Sequence, residues 1–187
     1  MLTSLDHIHF TSDILFRCRE KSQPRGYSSV EEMETSIIEY WNSKISPTDH
    51  IYYLGNFAAI AKGAVQSYCN LIYELNGFKH FIMGPKDDIT VFENLKDDDN
   101  LKIVEATTYK ELLILKQRIV LMHYPIQEWN GKNSIRPSIH LHGGRSIEQP
   151  DANRINISFD SQQLIYSAKN ILDILKKQQH FLREKAI

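Results

Sequence analysis

Two hydrophobic rhythms alternate along the chain. Unbroken apolar runs, Ile51-Tyr52-Tyr53-Leu54, Phe81-Ile82-Met83 after His80, and Ile119-Val120-Leu121-Met122, read as strands covered on both faces. Ile8-His9-Phe10-Thr11 reads as the first strand. Elsewhere apolar residues recur at three- and four-residue spacing and predict helices: Val30, Met33, Ile37, Ile38 and Trp41; Ala64, Val65, Tyr68, Leu71 and Ile72; Ile171, Leu172, Leu175 and Leu182. Ser28 or Ser29 with Glu31 or Glu32 forms a capping box that opens the first of these helices, which runs to about Lys44. The second spans 61–75 and is closed by Asn76-Gly77, and the third spans about 167–185. Segments 103–105, 111–115 and 119–122 predict strands of a second sheet, with Lys116-Gln117-Arg118 as a hairpin turn and 154–159 as a last strand. Residues 16–26 read as a polar connection, and Asp97-Asp98-Asp99, lacking EF-hand spacing, as a solvated turn. This order predicts an α/β sandwich, two sheets face to face with helices outside, in a single domain over 1–187.

Composition narrows the function classes. At 187 residues the chain can bury about two thirds of its surface without a staple. Lys plus Arg number 22 and Asp plus Glu 23, so no global field points to long nucleic acid or an anionic membrane, and any anion site is local. Cys18 and Cys69 give neither metal spacing nor a disulfide framework, which fits a reducing compartment. No signal-type or membrane-spanning apolar run is found, so a soluble, cytoplasmic protein is expected. His7 and His9 share a strand face and are either a metal pair or ordinary histidines.

The carboxyl ends of buried strands are where α/β proteins place chemistry. Here two such strands stop at histidines, in His123-Tyr124-Pro125 and in His140-Leu141-His142-Gly143-Gly144-Arg145-Ser146. With Thr11-Ser12-Asp13-Ile14-Leu15-Phe16, Ser29-Val30-Glu31-Glu32-Met33 before Trp41-Asn42, Tyr53-Leu54-Gly55-Asn56-Phe57 and Gly84-Pro85-Lys86-Asp87, they form an ordered series over roughly residues 8 to 160. The series resembles the calcineurin-like metallophosphoesterases, especially the small single-domain type of phages and bacteria. Those chains carry Ser-Asp-x-His, Leu-Gly-Asp-Phe, Gly-Asn-His-Asp, His-Tyr-Pro and Gly-His-x-His in the same order. The resemblance implies a sandwich of two facing mixed β-sheets flanked by helices.

It also implies a dinuclear site, in which two divalent cations about 3.5 to 4 Å apart activate a bridging water. Carried over, the seven ligand positions are Asp13, Leu15, Asn56, Pro85, His123, Gly144 and Ser146. Only Asp13 and His123 keep a strong ligand; Asn56 replaces the bridging aspartate, and Lys86 replaces the histidine that protonates the leaving group. A slip of four residues in the last motif offers His140 and His142 instead, and the sequence leaves both registers open.

The expectation is therefore a catalytically inactive phosphoesterase-like protein of phage type, with no cofactor. It would bind a phosphorylated small molecule or nucleotide through Asp13, Asn56, Lys86, His123, His142 and Arg145. Two alternatives stay open. One is a protein-interaction module that inhibits or scaffolds a host partner; the other is a weak or mononuclear phosphoesterase with manganese or another divalent ion on Asp13, Asn56 and His123. Phe181 and Leu182, apolar near the chain end, add the expectation of a homo-oligomer.

Overall fold

The computed structural model describes residues 5–61, 63–144, 151–161 and 165–185, with side chains as far as residue 178. In chain order the elements are β1 (Ile8–Thr11), α1 (Arg19–Ser22), α2 (Val30–Lys44), β2 (His50–Tyr53), α3 (Val65–Tyr73), β3 (Phe78–Ile82) and α4 (Ile89–Leu95). They continue with β4 (Ile103–Thr107), β5 (Lys110–Ile114), β6 (Gln117–Leu121), β7 (Ile139–His142), β8 (Arg154–Asn156), β9 (Tyr166–Ser167) and α5 (Ala168–Lys185). One sheet has the order β4-β3-β2-β1-β9 and the other β5-β6-β7-β8. Both are mixed: β9 runs antiparallel to β1 in an otherwise parallel sheet, and β5 antiparallel to β6 beside the parallel β6, β7 and β8.

The helices form for the reasons their sequences suggest. Ser29 caps α2 by accepting from the Glu32 N–H at 3.1 Å, while the Glu32 carboxylate takes the Ser28 N–H at 2.8 Å. Met33, Ile37 and Trp41 of α2 are buried against the first sheet with Tyr68, Leu71 and Ile72 of α3 and Val91, Phe92 and Leu95 of α4. A second core lies between the sheets and under α5, where Ile8, Phe10, Tyr52 and Ile82 meet Ile119, Leu121, Ile139, Leu141 and Ile171. Side-chain alternation supplies both cores from the same strands.

Several expectations are corrected. β4 joins the first sheet, beside β3, because the chain crosses between sheets only after Thr107. The hairpin turns at Leu115-Lys116, both with left-handed backbone, and Gln117 and Arg118 are already in β6. α3 begins at Val65 rather than 61, since Ala64 offers no side-chain cap and residues 58 and 59 run alongside Phe16. α4, which the pattern did not announce, is a seven-residue helix capped by Asp88. α1 interrupts the expected polar connection, β8 ends at Asn156, and β9 is the last strand. Asp98 caps a 3-10 turn over Asp99–Leu101, so the acidic run is indeed a turn. His7 and His9 both bind the buried carboxylate of Asp49, at 2.6 and 3.0 Å, rather than forming a metal pair of their own. Phe181 and Leu182 lie outside the described side chains. Among the described residues no helix is long and apolar enough to cross a membrane.

Candidate functional site

The ends of β1, β2, β6 and β7 bring Asp13, Asn56, His123 and Gly143-Gly144 together. Two backbone turns make this approach. Asp13 and Asn56 both have positive φ, 58° and 57°, which Asn and Asp tolerate better than most side chains. Asp13 N–H donates to Gly55 O at 3.0 Å, and Tyr53 buries its hydroxyl between the loops, accepting from Ile14 N–H at 2.7 Å. Arg25 clamps the same loop from outside, donating to the carbonyls of Asp13 and Ile14, pairing with Asp160 at 2.7 Å and covering Phe159. Gly55 and Gly143 are required by closeness. A Cβ on Gly55 would come 2.5 Å from His123 Nδ1, and one on Gly143 would come 2.7 Å from Asp13 Oδ2.

All three site side chains are buried, with Asp13 7 %, Asn56 8 % and His123 3 % exposed. Asp13 Oδ2 accepts from Ser12 Oγ at 2.7 Å and Gly144 N–H at 2.6 Å, and Oδ1 accepts from Asn56 Nδ2 at 2.7 Å. A carboxylate only accepts, so this contact fixes the Asn56 amide: its nitrogen faces Asp13, and its oxygen takes the Lys86 N–H at 3.2 Å. The same Nδ2 lies 3.4 Å from His123 Nε2. His123 Nδ1 faces Leu54 O at 2.8 Å and must donate there, which leaves Nε2 as an acceptor turned towards the amide. One neutral NH₂ group thus stands between Asp13 and His123 and satisfies both.

This donor set does not fit a dinuclear metal centre. Leu15 is a buried aliphatic side chain, Pro85 has no donor atom, and Gly144 has spent its N–H on Asp13. Among the described residues no group of three or more His, Cys, Asp or Glu is arranged to hold a metal. The slipped register is not realised: His140 is committed to the backbone, within hydrogen-bond distance of Val120 O, Tyr124 O and Ile126 N, and lies against Trp129. His142 is buried with Nδ1 2.7 Å from Gly143 O, and burial pushes its pKa down to about 4. It is near His123 electrostatically but shares no hydrogen bond with the Asp13-Asn56-His123 group. Lys86 joins the group only through its backbone; its side chain is exposed, and it makes no ion pair among the described residues, with Glu20 in its field. Arg145 and Ser146 lie outside the described residues.

Asp87 is the functional residue that sequence reasoning left without a role. Its carboxylate accepts from the N–H groups of Asn56, Phe57 and Gly84 at 2.7 to 2.8 Å and so ties the Asn56 loop to the end of β3. Burial pushes its carboxyl above the usual range against those three donors. The signal was its fixed place in Gly84-Pro85-Lys86-Asp87.

The motif segments sit at strand ends in the expected order, within two mixed β-sheets flanked by helices. No family model matches it. An uncharacterized protein of Methanocaldococcus jannaschii is 30 % identical over 113 residues, 59 % of this chain and 59 % of the relative, so the chain spans about three fifths of the length of the curated relative it matches. A protein of unknown function from Aquifex aeolicus shares the fold, with a TM-score of 0.58, 21 % identity and coverage of 81 % of this chain and 89 % of the other. An archaeal phosphodiesterase aligns with a TM-score of 0.47 and 17 % identity over 81 % of each chain.

Proposed function

We propose that this protein does not carry out two-metal hydrolysis and instead holds a phosphorylated small molecule or nucleotide at the rim of the Asp13-Asn56-His123 group. The observation that carries the reading is the Asn56 carboxamide, which donates to Asp13 and faces His123 where an anionic bridge between two cations would be needed. A neutral amide supplies no charge to hold such cations together, and the buried groups around it have their hydrogen bonds without them. Asp13 repels an anion from the floor of the site. The exposed Lys86 supplies positive charge at its rim, and Arg145 follows Gly144 directly in the sequence. Two charge-assisted hydrogen bonds at about 1.5 to 3 kcal/mol each support affinities between millimolar and micromolar, falling with salt.

Elemental analysis combined with calorimetric titration of mono-, di- and cyclic nucleotides tests both halves. The expected result is substoichiometric divalent metal, phosphodiester turnover at background with added manganese, and nucleotide binding that is lost in a Lys86→Ala, Arg145→Ala double variant. Two ions per chain with turnover abolished by His123→Ala would restore the hydrolase. Binding no tighter than millimolar would leave the fold as a scaffold for a protein partner.

A further inference from the structure

Among the described residues four strands lie at sheet edges: β4 and β9 in one sheet, β5 and β8 in the other. Open edges invite pairing with another strand unless they are short, bulged or guarded by charge. β9 has two residues and β8 three. β4 carries a register shift opposite Lys79 and His80 that leaves Val104 out of the ladder. β5 is neither short nor bulged. It is five residues long, in unbroken register with β6 from Lys110↔Leu121 to Ile114↔Gln117, and contains no Pro or Gly.

Its charges are already used within the chain. Lys110 Nζ binds Glu105 at 2.8 Å, and the Glu111 carboxylate is held by Tyr109 Oη at 2.6 Å, by Asn130 Nδ2 at 2.9 Å and by Arg118. What the edge presents instead is leucine: Leu113 is 73 % and Leu115 70 % exposed. Leu115 and Lys116 occupy the two left-handed positions of the turn, at φ 48° and 67°, where Asn-Gly is the low-energy choice. The two-residue loop makes Ile114 and Gln117 the closing hydrogen-bonded pair. By the alternation of an antiparallel ladder, the N–H and C=O of Leu113 and Glu111 then point to the open side.

We infer that β5 is a self-association edge, through which two copies of this chain pair antiparallel about a two-fold axis at Leu112 and join their four-stranded sheets into one. The occupant is a second copy because the edge is complementary to itself. About that axis Glu111 faces Leu113 of the second copy and Lys110 faces Ile114 of the second copy, so every outward N–H and C=O of Glu111 and Leu113 finds its counterpart. No like charges stand opposite one another. Each Leu113 is flanked by Arg118 of its own chain and Glu111 of the other, an arrangement of alternating charge around an apolar contact.

Sedimentation equilibrium of the full chain at tens of micromolar tests this against Leu113→Glu, which sets a carboxylate opposite Glu111 of the second copy, and Leu113→Pro, which removes an outward N–H that β6 does not use. The expected result is a wild-type dimer whose dissociation constant rises at least tenfold in both variants, with unchanged circular dichroism. Because Leu113 is exposed, Leu113→Glu decides the matter alone if the proline variant has lost its wild-type spectrum. A wild type that stays monomeric, or a dimer that survives Leu113→Glu unweakened, overturns the proposal; the second outcome moves the contact to the end of α5.

Discussion

At Asn56 a single carboxamide decides how the buried site is held together. Asn56→Asp would set a second carboxylate about where Nδ2 now lies, 2.7 Å from Asp13 Oδ1, and remove the proton donor facing His123. Like charges at that range cannot both persist in a buried place, so the variant is expected to lose about 2 kcal/mol or more at pH 7.5. A shared proton would restore a donor, so the deficit should shrink at pH 5, as urea unfolding at the two pH values would show. Lys79 is the other residue at odds with its surroundings. It is 2 % exposed, donates from Nζ to Leu101 O at 3.1 Å, and burial pushes its pKa down to about 8. Because the folded value lies below the unfolded one, the unfolded chain binds more protons between about pH 8 and 10.5, and stability rises with pH across that window. Below it the charged amine costs up to about 3 kcal/mol, so Lys79→Met should stabilise the protein at pH 7 by about 1 to 3 kcal/mol and flatten the alkaline rise in urea midpoints.

The β5-β6 hairpin carries the clearest conflict between an element and its sequence. Two non-glycine residues adopt left-handed backbone at its turn, each costing about 1 kcal/mol relative to residues suited to it. Replacing Leu115-Lys116 by Asn-Gly should therefore raise stability by about 1 to 2 kcal/mol, measured by urea unfolding in the Leu113→Glu background to keep association out of the comparison. A neutral or destabilising outcome would mean that Leu115 contributes contacts its 70 % exposure does not suggest. α4 illustrates the opposite case. Its seven residues have little stability of their own, and Val91, Phe92 and Leu95 hold it by burial against the first sheet. A short helix of this kind leaves a faint periodic signal, which is why the sequence pattern passed over it.

Across the molecule, polar links hold the layers in register. Lys110 from the second sheet binds Glu105 of the first; Glu105 binds His80 Nδ1 at 2.7 Å; and His80 Nε2 meets His50 Nδ1 at 2.9 Å. Burial depresses the pKa values of His50, His80, His140 and His142. A histidine whose folded pKa is lowered contributes stability that is full above its unfolded value, near 6.5, and is lost as pH falls. Burial raises the carboxyl of Glu105, but Lys110 and His80 outweigh it. It likewise raises that of Asp49, where the Ser46 N–H, His7 and His9 outweigh it, so both end lowered and add a further loss below about pH 4.5. Urea midpoints should thus fall from pH 7 to 5. In His142→Asn the slope between about pH 4.5 and 5.5 should be smaller by up to one proton, about 1.4 kcal/mol per pH unit.

Much of this was written locally. Period-two runs and helical spacing placed β1, β2, α2 and α5 within a few residues, because each buries one face or both and its pattern records that. The motif series located Asp13, Asn56 and His123 at strand ends, and it was plain from residue type that the side chains of Leu15 and Pro85 carry no donor atom. What the residues alone could not decide was partnership. β4 resembles any short strand until pairing with β3 assigns it to the first sheet, since an isolated strand carries no mark of which neighbour completes its hydrogen bonds. His140 and His142 offered a plausible ligand pair in sequence, and only the fold of residues 120–129 around His140 commits it elsewhere. Arg25 and Asp87, which shape the site most from outside, act across 12 and 31 positions of sequence, through contacts with Asp13 and Asn56 that exist only once the loops are closed. Residue chemistry is local and can be read in order; which donor meets which acceptor depends on chain closure, and that is decided by the packing of the two sheets.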